Sequence, residues 1–500
     1  MSSEADPDIL AVLDPARSAV VEACAGSGKT WLLAARIVRL LLAGAKPGEI
    51  LAITFTRKAA REIEERVVGW LRWLATATDA EAADFLHDRG SADDSPTLAR
   101  ARGLYEQLTV AQPGLAVNTF HGWFLQLVAA APLSAGLAGA RLADDGSRRF
   151  DELWQSFATK MQQAPESPVA QALIRLFAVA GQHATRQLVK NGMARRAEWL
   201  VLAGDATDSH AAELAGLEEV FGQDDEAGVL EDFFSPGWEI DFTCYLGYLE
   251  ATGVETDRRL AEQLAAVIAT VAGGDRGGAS FTALAETVLT KAGTLRARKL
   301  SKTLQDRLGA GATHFLDLHA ALGERLLRCI LRLQDARNLA LNRDALCVHS
   351  AFLAHLAAFK AERRQIDFVD AEWEVLRLLR DDANAAYVQA RLDARYRHVL
   401  LDEFQDTNPL QWLILQSWLA AYEGTGAERP TVFLVGDPKQ SIYRFRGAEP
   451  RLFATAAAFL QSDYSAVAVA RDVTRRNAPP IIDVVNALFS AEPAFVPFRQ

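Results

Sequence analysis

Two hydrophobic periods divide this chain. Near its start the apolar run Ala19 to Val21 precedes a segment in which Leu32, Leu33, Ile37, Leu40 and Leu41 recur at helical spacing as far as Gly44, with Lys46-Pro47-Gly48 as the stop. The run Ile50 to Phe55 is continuously apolar, as expected of a parallel strand covered on both faces. Thr56 can cap the helix that follows, where Ala59, Ala60, Ile63, Val67 and Trp70 repeat at helical spacing while Arg57, Lys58, Arg61 and Glu62 face water. Leu115 to Thr119, followed by Phe120 to Phe124, repeats the unit. Strand alternating with helix in this way predicts a doubly wound α/β parallel sheet.

Between residues 131 and 385 strand signals almost vanish, and Ala, Leu, Glu and Arg dominate a succession of helical patterns. The sheet pattern returns at His398 to Leu401, an apolar strand ending in Asp402 and Glu403; Asn408-Pro409 then caps and starts a helix reaching Ala420. Thr431 to Val435 is a second buried strand, Ala466 to Ala470 a further one, and Pro479-Pro480 starts a last helix. The expected organisation is the first part of a sheet domain at 1–130, a large all-helical insertion at 131–385, the second part of the same domain at 386–470, and the start of another domain at 471–500.

Composition changes this picture little. A chain of 500 residues, half of them hydrophobic, holds about three domains' worth of sequence at ~150 residues each. No stretch approaches the roughly 18 uninterrupted apolar residues of a membrane span, and the acidic start, Met1 to Asp6, lacks the pattern of a secretory signal. A soluble, cytoplasmic protein without a membrane partner is expected. Cys24, Cys244, Cys329 and Cys347 form no Cys-x-x-Cys pair, which argues against zinc, an iron–sulfur cluster or a disulfide framework; they are expected to be reduced and buried. Cys347, His349 and His355 fit no standard ligand spacing. A net charge of −11 counts against a nucleic-acid partner but does not exclude one, because net charge does not describe a local basic groove. Lys291, Arg296, Arg298, Lys299 and Lys302 cluster in the helical part, either as a solvated face or as phosphate contacts.

The chemistry begins at Ala23-Cys24-Ala25-Gly26-Ser27-Gly28-Lys29-Thr30, between the first strand and the first helix. Gly26 and Gly28 let backbone N–H groups turn inward around phosphate oxygens, and the following helix adds the positive end of its dipole. Lys29 reaches the β and γ phosphates and Thr30 offers a hydroxyl to Mg²⁺, so the loop predicts a nucleoside triphosphate site. Ala23 stands where the general pattern has glycine. An apolar strand ending in Asp402 and Glu403 completes such a site: Asp402 holds the same Mg²⁺, and Glu403 orients and polarises the attacking water.

These residues resemble the superfamily 1 DNA helicases of the UvrD type, most closely the AddA and RecB motor subunits. Ala23 to Thr30 is similar to motif I, which commonly starts with Ala in this family. Thr54 to Glu62 resembles motif Ia, Thr119 to Gly122 the next DNA-contacting motif, Leu401 to Thr407 motif II, and Val435 to Gly447 motif III. Ile366 to Asp370 resembles a short aromatic and acidic segment preceding motif II. The resemblance implies a RecA-like P-loop domain binding ATP and Mg²⁺, and 3′ to 5′ movement on single-stranded DNA in recombinational repair or double-strand-break processing. A further partner is implied in the form of a second helicase or nuclease subunit. It also implies that Gln440 senses the γ-phosphate, with Asp437 and Arg446 along the connection to DNA. Phe55, Tyr443 and Phe445 would stack on bases, and Thr56, Arg57, Thr119 and His121 would hold the sugar–phosphate backbone.

Thr474-Arg475-Arg476-Asn477 stands where the family has Asn-Tyr-Arg-Ser in motif IV, which makes Arg476 the arginine finger. Arg17 replaces the glutamine that usually reads adenine. Nothing resembles motifs V and VI or a nuclease domain, so the front part of a larger protein is expected. Because the motifs around Phe55 and Tyr443 have no place in a P-loop metabolic kinase, that reading fails. The remaining alternative is a nucleotide- and DNA-binding module without helicase activity of its own.

Overall fold

Six strands form one sheet in the computed structural model, which describes residues 7–132, 139–143, 149–203, 209–381, 383–422, 429–474 and 476–491. They are β1 (Ala19–Ala23), β2 (Ile50–Thr54), β3 (Ala116–Thr119), β6 (His398–Leu401), β7 (Thr431–Gly436) and β8 (Val467–Arg471); β4 (Arg141–Leu142) and β5 (Gln365–Ile366) form a separate ladder. The order is β3-β2-β6-β7-β1-β8, and every pairing is parallel. The expected α/β architecture is therefore present, with β1 inserted between β7 and β8.

Alternate residues of each strand feed two cores, which is why the strands read as unbroken apolar runs. Val20, Leu51, Ile53, Val399, Leu401 and Leu434 pack on one face against helices Phe120–Ala129, Phe368–Arg380, Pro409–Ala420 and Arg451–Tyr464. Val21, Ile50, Ala52, Leu400, Phe433 and Val435 pack on the other face against helices Lys29–Leu42, Arg57–Leu74 and Ser95–Val110. Asn408 caps Pro409–Ala420 by accepting from Gln411 N at 2.8 Å, and Thr56 caps Arg57–Leu74 by accepting from Ala59 N at 3.0 Å.

The chain divides into two compact units, Met1–Leu153 with Gly192–Gly204 and Leu356–Gln500, and Trp154–Asn191 with Asp205–His355. The second spans fewer residues than the expected 131–385, and its described residues form helices and turns with one isolated bridge, Leu289 to Leu295. The reason is burial: helix Phe368–Arg380 gives Val375 and Leu376 to the sheet core, so it belongs with the strands. An ionic cluster fixes the start of that helix within the sheet unit. Lys360 Nζ lies 2.5 Å from Asp367 and 2.7 Å from Asp370, and Arg196 donates to Asp367 as well. The expected boundary at 471 also moves, since Arg471 closes β8 and helix Pro479–Phe489 clusters with the sheet unit. Residues 492–500 lie outside the described residues, as does Arg475.

The second unit has its own aromatic core, in which Phe233, Phe242, Tyr245, Phe281 and Phe315 are buried. Two members of the basic cluster serve that core: Arg298 pairs with Asp257 at 2.9 Å, and Arg296 donates to the Glu286 carbonyl at 2.9 Å. All four cysteines are free thiols, but only Cys329 is buried; Cys244, expected inside, is exposed because it sits on the outer face of helix Glu239–Ala251. Among the described residues, no helix is long and apolar enough to cross a membrane.

Candidate nucleotide site and nucleic-acid face

Parallel strands place all their carboxyl ends at one edge, which is where open α/β sheets bind ligands. The loop after β1 turns through Gly26 at φ 79° and Gly28 at φ 94°, a left-handed region that a side chain would strain. Ser27 Oγ donates to the Cys24 carbonyl at 2.8 Å and closes the loop. A Cβ on Gly26 would come within 2.7 Å of Thr474 Oγ1 and meet Cβ of Arg476, so the loop packs directly against the segment carrying that arginine. Helix Lys29–Leu42 starts at Gly28 with no side-chain cap, which leaves its first N–H groups for an anion.

Lys29 Nζ lies 3.0 Å from Glu403 Oε2, which also accepts from Gln405 Nε2 at 2.6 Å. Glu403 itself sits at φ 49°, ψ 42°, a left-handed conformation costing roughly 1–2 kcal/mol for a residue with a side chain. The turn so made brings two carboxylates side by side at the end of β6. Thr54 Oγ1 donates to Asp402 Oδ2 at 3.2 Å, while Asp402 Oδ1 is buried without a hydrogen-bond partner. An oxygen in that state suits a cation, and Thr30 in the first helical turn offers a second oxygen. Burial, reinforced by the charge of Glu403, pushes the Asp402 carboxyl up to about 7 and that of Asp406 up to about 6.

From Glu403 a string of bonds leads onward. Gln405 Oε1 accepts from the backbone N–H of Asp437 at 2.8 Å, and Asp437 Oδ2 accepts from Gln440 Nε2 at 2.5 Å. Gly436 has to be glycine for this contact, because a Cβ there would stand 2.8 Å from Gln405 Oε1. Three residues beyond Gln440, the Tyr443 ring lies 4.6 Å from Phe55 and 5.8 Å from Phe445, with the Arg446 guanidinium 5.5 Å over Tyr443. Phe445 is 78% exposed, so this ring group is no part of the core.

Thr119 caps helix Phe120–Ala129 by accepting from Gly122 N at 3.2 Å, which sets His121 at the same edge, and Arg57 is exposed in the first turn after Thr56. The His121 ring lies 4.4 Å from Phe368, and its Nε2 lies 3.2 Å from Glu372 Oε1. Glu372, only 1% exposed, also accepts from Gln411 Nε2 at 2.7 Å and Asn408 Nδ2 at 3.2 Å. Thr54, Gln405 and Glu372 thus hold site residues in place. Thr54 and Gln405 lie inside motifs legible in the sequence, whereas Glu372 is one acid on an amphipathic helix and carries no local signal. Arg17 falls elsewhere, at the amino end of β1 and 3.6 Å from Asp14, one strand length from the glycine loop at Gly26 and Gly28.

Residues 8–460 match the family described as UvrD/REP helicase N-terminal domain. The chain is 28% identical over 547 residues to AddA of Limosilactobacillus fermentum, which bears the name of an ATP-dependent helicase/nuclease subunit; the match covers 98% of this chain and 37% of that protein. It is 26% identical over 470 residues to the protein of the same name from Lactiplantibacillus plantarum, covering 87% of this chain and 35% of the relative. A shorter match of 94 residues, 19% of this chain and 6% of the relative, reaches 46% identity to the Desulfitobacterium hafniense protein of that name. The chain therefore spans little more than a third of the length of the longer-matching relatives. With that match over most of its length, and with its loop, paired acids and ring group at one sheet edge, the chain belongs to the UvrD/REP helicase family.

Proposed function

We propose that this chain is the first, RecA-like motor domain of an ATP-dependent DNA helicase or translocase that moves 3′ to 5′ along single-stranded DNA in recombinational repair or double-strand-break processing. One observation carries the reading: hydrogen bonds run unbroken from Glu403 through Gln405 and Asp437 to Gln440, three residues from the half-buried Tyr443 ring and five from the exposed Phe445 ring. A partner protein fits the relatives' names, which describe each of them as one subunit of a helicase/nuclease.

In this reading Ala23 to Thr30 cradles the phosphates of ATP. Asp402 and Thr30 would hold Mg²⁺, which when bound offsets charge on those phosphates. Lys29 leaves Glu403 for the β and γ phosphates, and the freed Glu403 carboxylate orients the attacking water and takes its proton. Gln440 senses the γ-phosphate, and Arg476 stabilises transition-state charge. Phe55, Tyr443 and Phe445 stack on bases, while Thr56, Arg57, Thr119, His121 and the N-termini of their helices hold the phosphodiester chain.

Phe445→Ala and Tyr443→Ala should each weaken binding of a labelled oligo-dT by about 5- to 150-fold, the equivalent of about 1–3 kcal/mol of lost stacking. If these rings only pack against protein, thermal stability falls and DNA affinity holds. Direction is read from streptavidin displacement, expected from the 5′ end of a biotinylated strand. Binding of both ligands without any displacement would favour the module that binds nucleotide and DNA but does not move.

The raised carboxyls give a pH test. A neutral Asp402 is a poor cation ligand, so Mg²⁺-dependent nucleotide binding should tighten as pH rises through about 7, and Asp402→Asn should flatten that profile. The ligand-free chain has the opposite trend. With folded values above the usual 3.8, Asp402 and Asp406 contribute stability that is complete below that value and lost as pH rises through about 6 to 7.

A further inference from the structure

A cavity of about 730 Å³ opens at the amino-terminal edge of the sheet, the edge opposite the phosphate loop, in the range of ~300–1,000 Å³ typical of ligand pockets. Trp123 and Leu127 of helix Phe120–Ala129 wall one side, and Pro47, Pro113 and Tyr396 much of the rest. The wall is tightly built: a Cβ on Gly48 would lie 2.6 Å from Pro113 Cγ, so the turn before β2 sits flush against Pro113.

Three cations stand at the mouth, Lys46, Arg391 and Arg395, all exposed, in a chain whose net charge is −11. Two of them are held by their surroundings. Arg391 donates to Tyr387 Oη at 2.8 Å and to the Ala130 carbonyl at 3.3 Å, and the Arg395 guanidinium lies 5.0 Å over the Tyr396 ring. Among the described residues lining the cavity, Glu49 is the one acid, and its carboxylate accepts the Lys46 backbone N–H at 2.9 Å. The charge at the mouth is thus positive and the interior apolar. Val110, 71% exposed, carries apolar surface past the lip, where a small molecule would leave it uncovered and a peptide would cover it.

We infer that this cavity is a docking site for a partner protein's peptide segment in which an aromatic or branched aliphatic anchor is flanked by Asp and Glu residues. The anchor fills the pocket against Leu127 and Pro113, the flanking carboxylates pair with Arg391, Arg395 and Lys46, and the peptide backbone runs over Val110. Helix Phe120–Ala129 is shared with the opposite edge: Trp123 and Leu127 line the cavity, while His121 stands in the first turn, about 3 Å from Trp123 and about 9 Å from Leu127 along the axis at 1.5 Å per residue. Occupancy therefore bears on the helix that carries His121. The inference stands apart from the nucleotide reading, because none of these cavity-lining side chains touches the phosphate loop.

The test titrates the full chain with fluorescein-labelled twelve-residue peptides bearing one Trp between Asp-Glu pairs, against a peptide with Lys at every acidic position. Micromolar binding of the acidic peptide is expected, weakened at least 10-fold by Arg391→Glu with Arg395→Glu and by Val110→Asp, while nucleotide affinity stays unchanged. Val110→Asp alters an exposed side chain, so it decides the matter even if the charge-reversal variant fails to fold. The inference is overturned if the acidic peptide does not bind, if the lysine peptide binds as well, or if Val110→Asp leaves binding unchanged. It is overturned equally if 4-phenylbutyrate displaces the peptide at the peptide's own affinity, which would make the site one for a small acid.

Discussion

Glu403→Gln should cut ATP turnover by about 10²- to 10⁴-fold, the range over which a positioned proton acceptor acts, while ATP binding becomes tighter. The two effects have one origin. In the ligand-free chain Glu403 holds the Lys29 ammonium at 3.0 Å, so ATP has to compete with a carboxylate for that lysine and enter a site that already carries its charge. Glutamine keeps an acceptor for Gln405 and is of nearly the same size, but it releases Lys29 and cannot take a proton from water. Equilibrium binding of a fluorescent ATP analogue, measured beside phosphate release, separates the two. Loss of turnover together with loss of binding would mean that Glu403 holds the loop together instead of serving the chemistry.

Lys360→Met should lower the unfolding free energy by about 3–5 kcal/mol, as removal of one partner from a buried ion pair commonly does. Its ammonium touches both Asp367 and Asp370, and without it those two acids share Arg196 alone. Burial pushes the Asp367 carboxyl up, but the nearby charges of Arg196 and Lys360 outweigh it and hold the group below its usual 3.8. This carboxylate therefore contributes stability above that value that is lost as pH falls through its folded value, the reverse of Asp402. Denaturant unfolding of Lys360→Met and of Lys360→Met with Asp367→Leu decides the point: the double variant should recover part of the loss, because no unpaired charge remains at position 367.

Much of this was legible in the sequence, for a physical reason. A strand buried on both faces must be apolar throughout, so Ile50 to Thr54 and Thr431 to Val435 stood out, and so did the loop between β1 and its helix, where glycine is needed at two left-handed positions. Residues acting at strand ends came along with the strands. The extent of the helical unit was less legible, because helix Phe368–Arg380 has the same amphipathic pattern whether it packs on a sheet or on other helices. Nor could the sequence show that Glu372 holds His121, since that contact joins residues far apart in the chain. The basic cluster divides for a related reason: composition cannot distinguish Arg298, paired with a buried Asp257, from Lys291, Lys299 and Lys302, which are exposed.

One sheet edge, on this reading, joins a nucleotide site to a single-stranded DNA platform. ATP hydrolysis by the chain, measured with increasing oligo-dT, tests that coupling most directly. The expected rate rises with DNA, is half-maximal at the DNA dissociation constant and saturates above it, with Glu403→Gln at background throughout. A chain that binds both ATP and oligo-dT but hydrolyses ATP at a rate indifferent to DNA would contradict it.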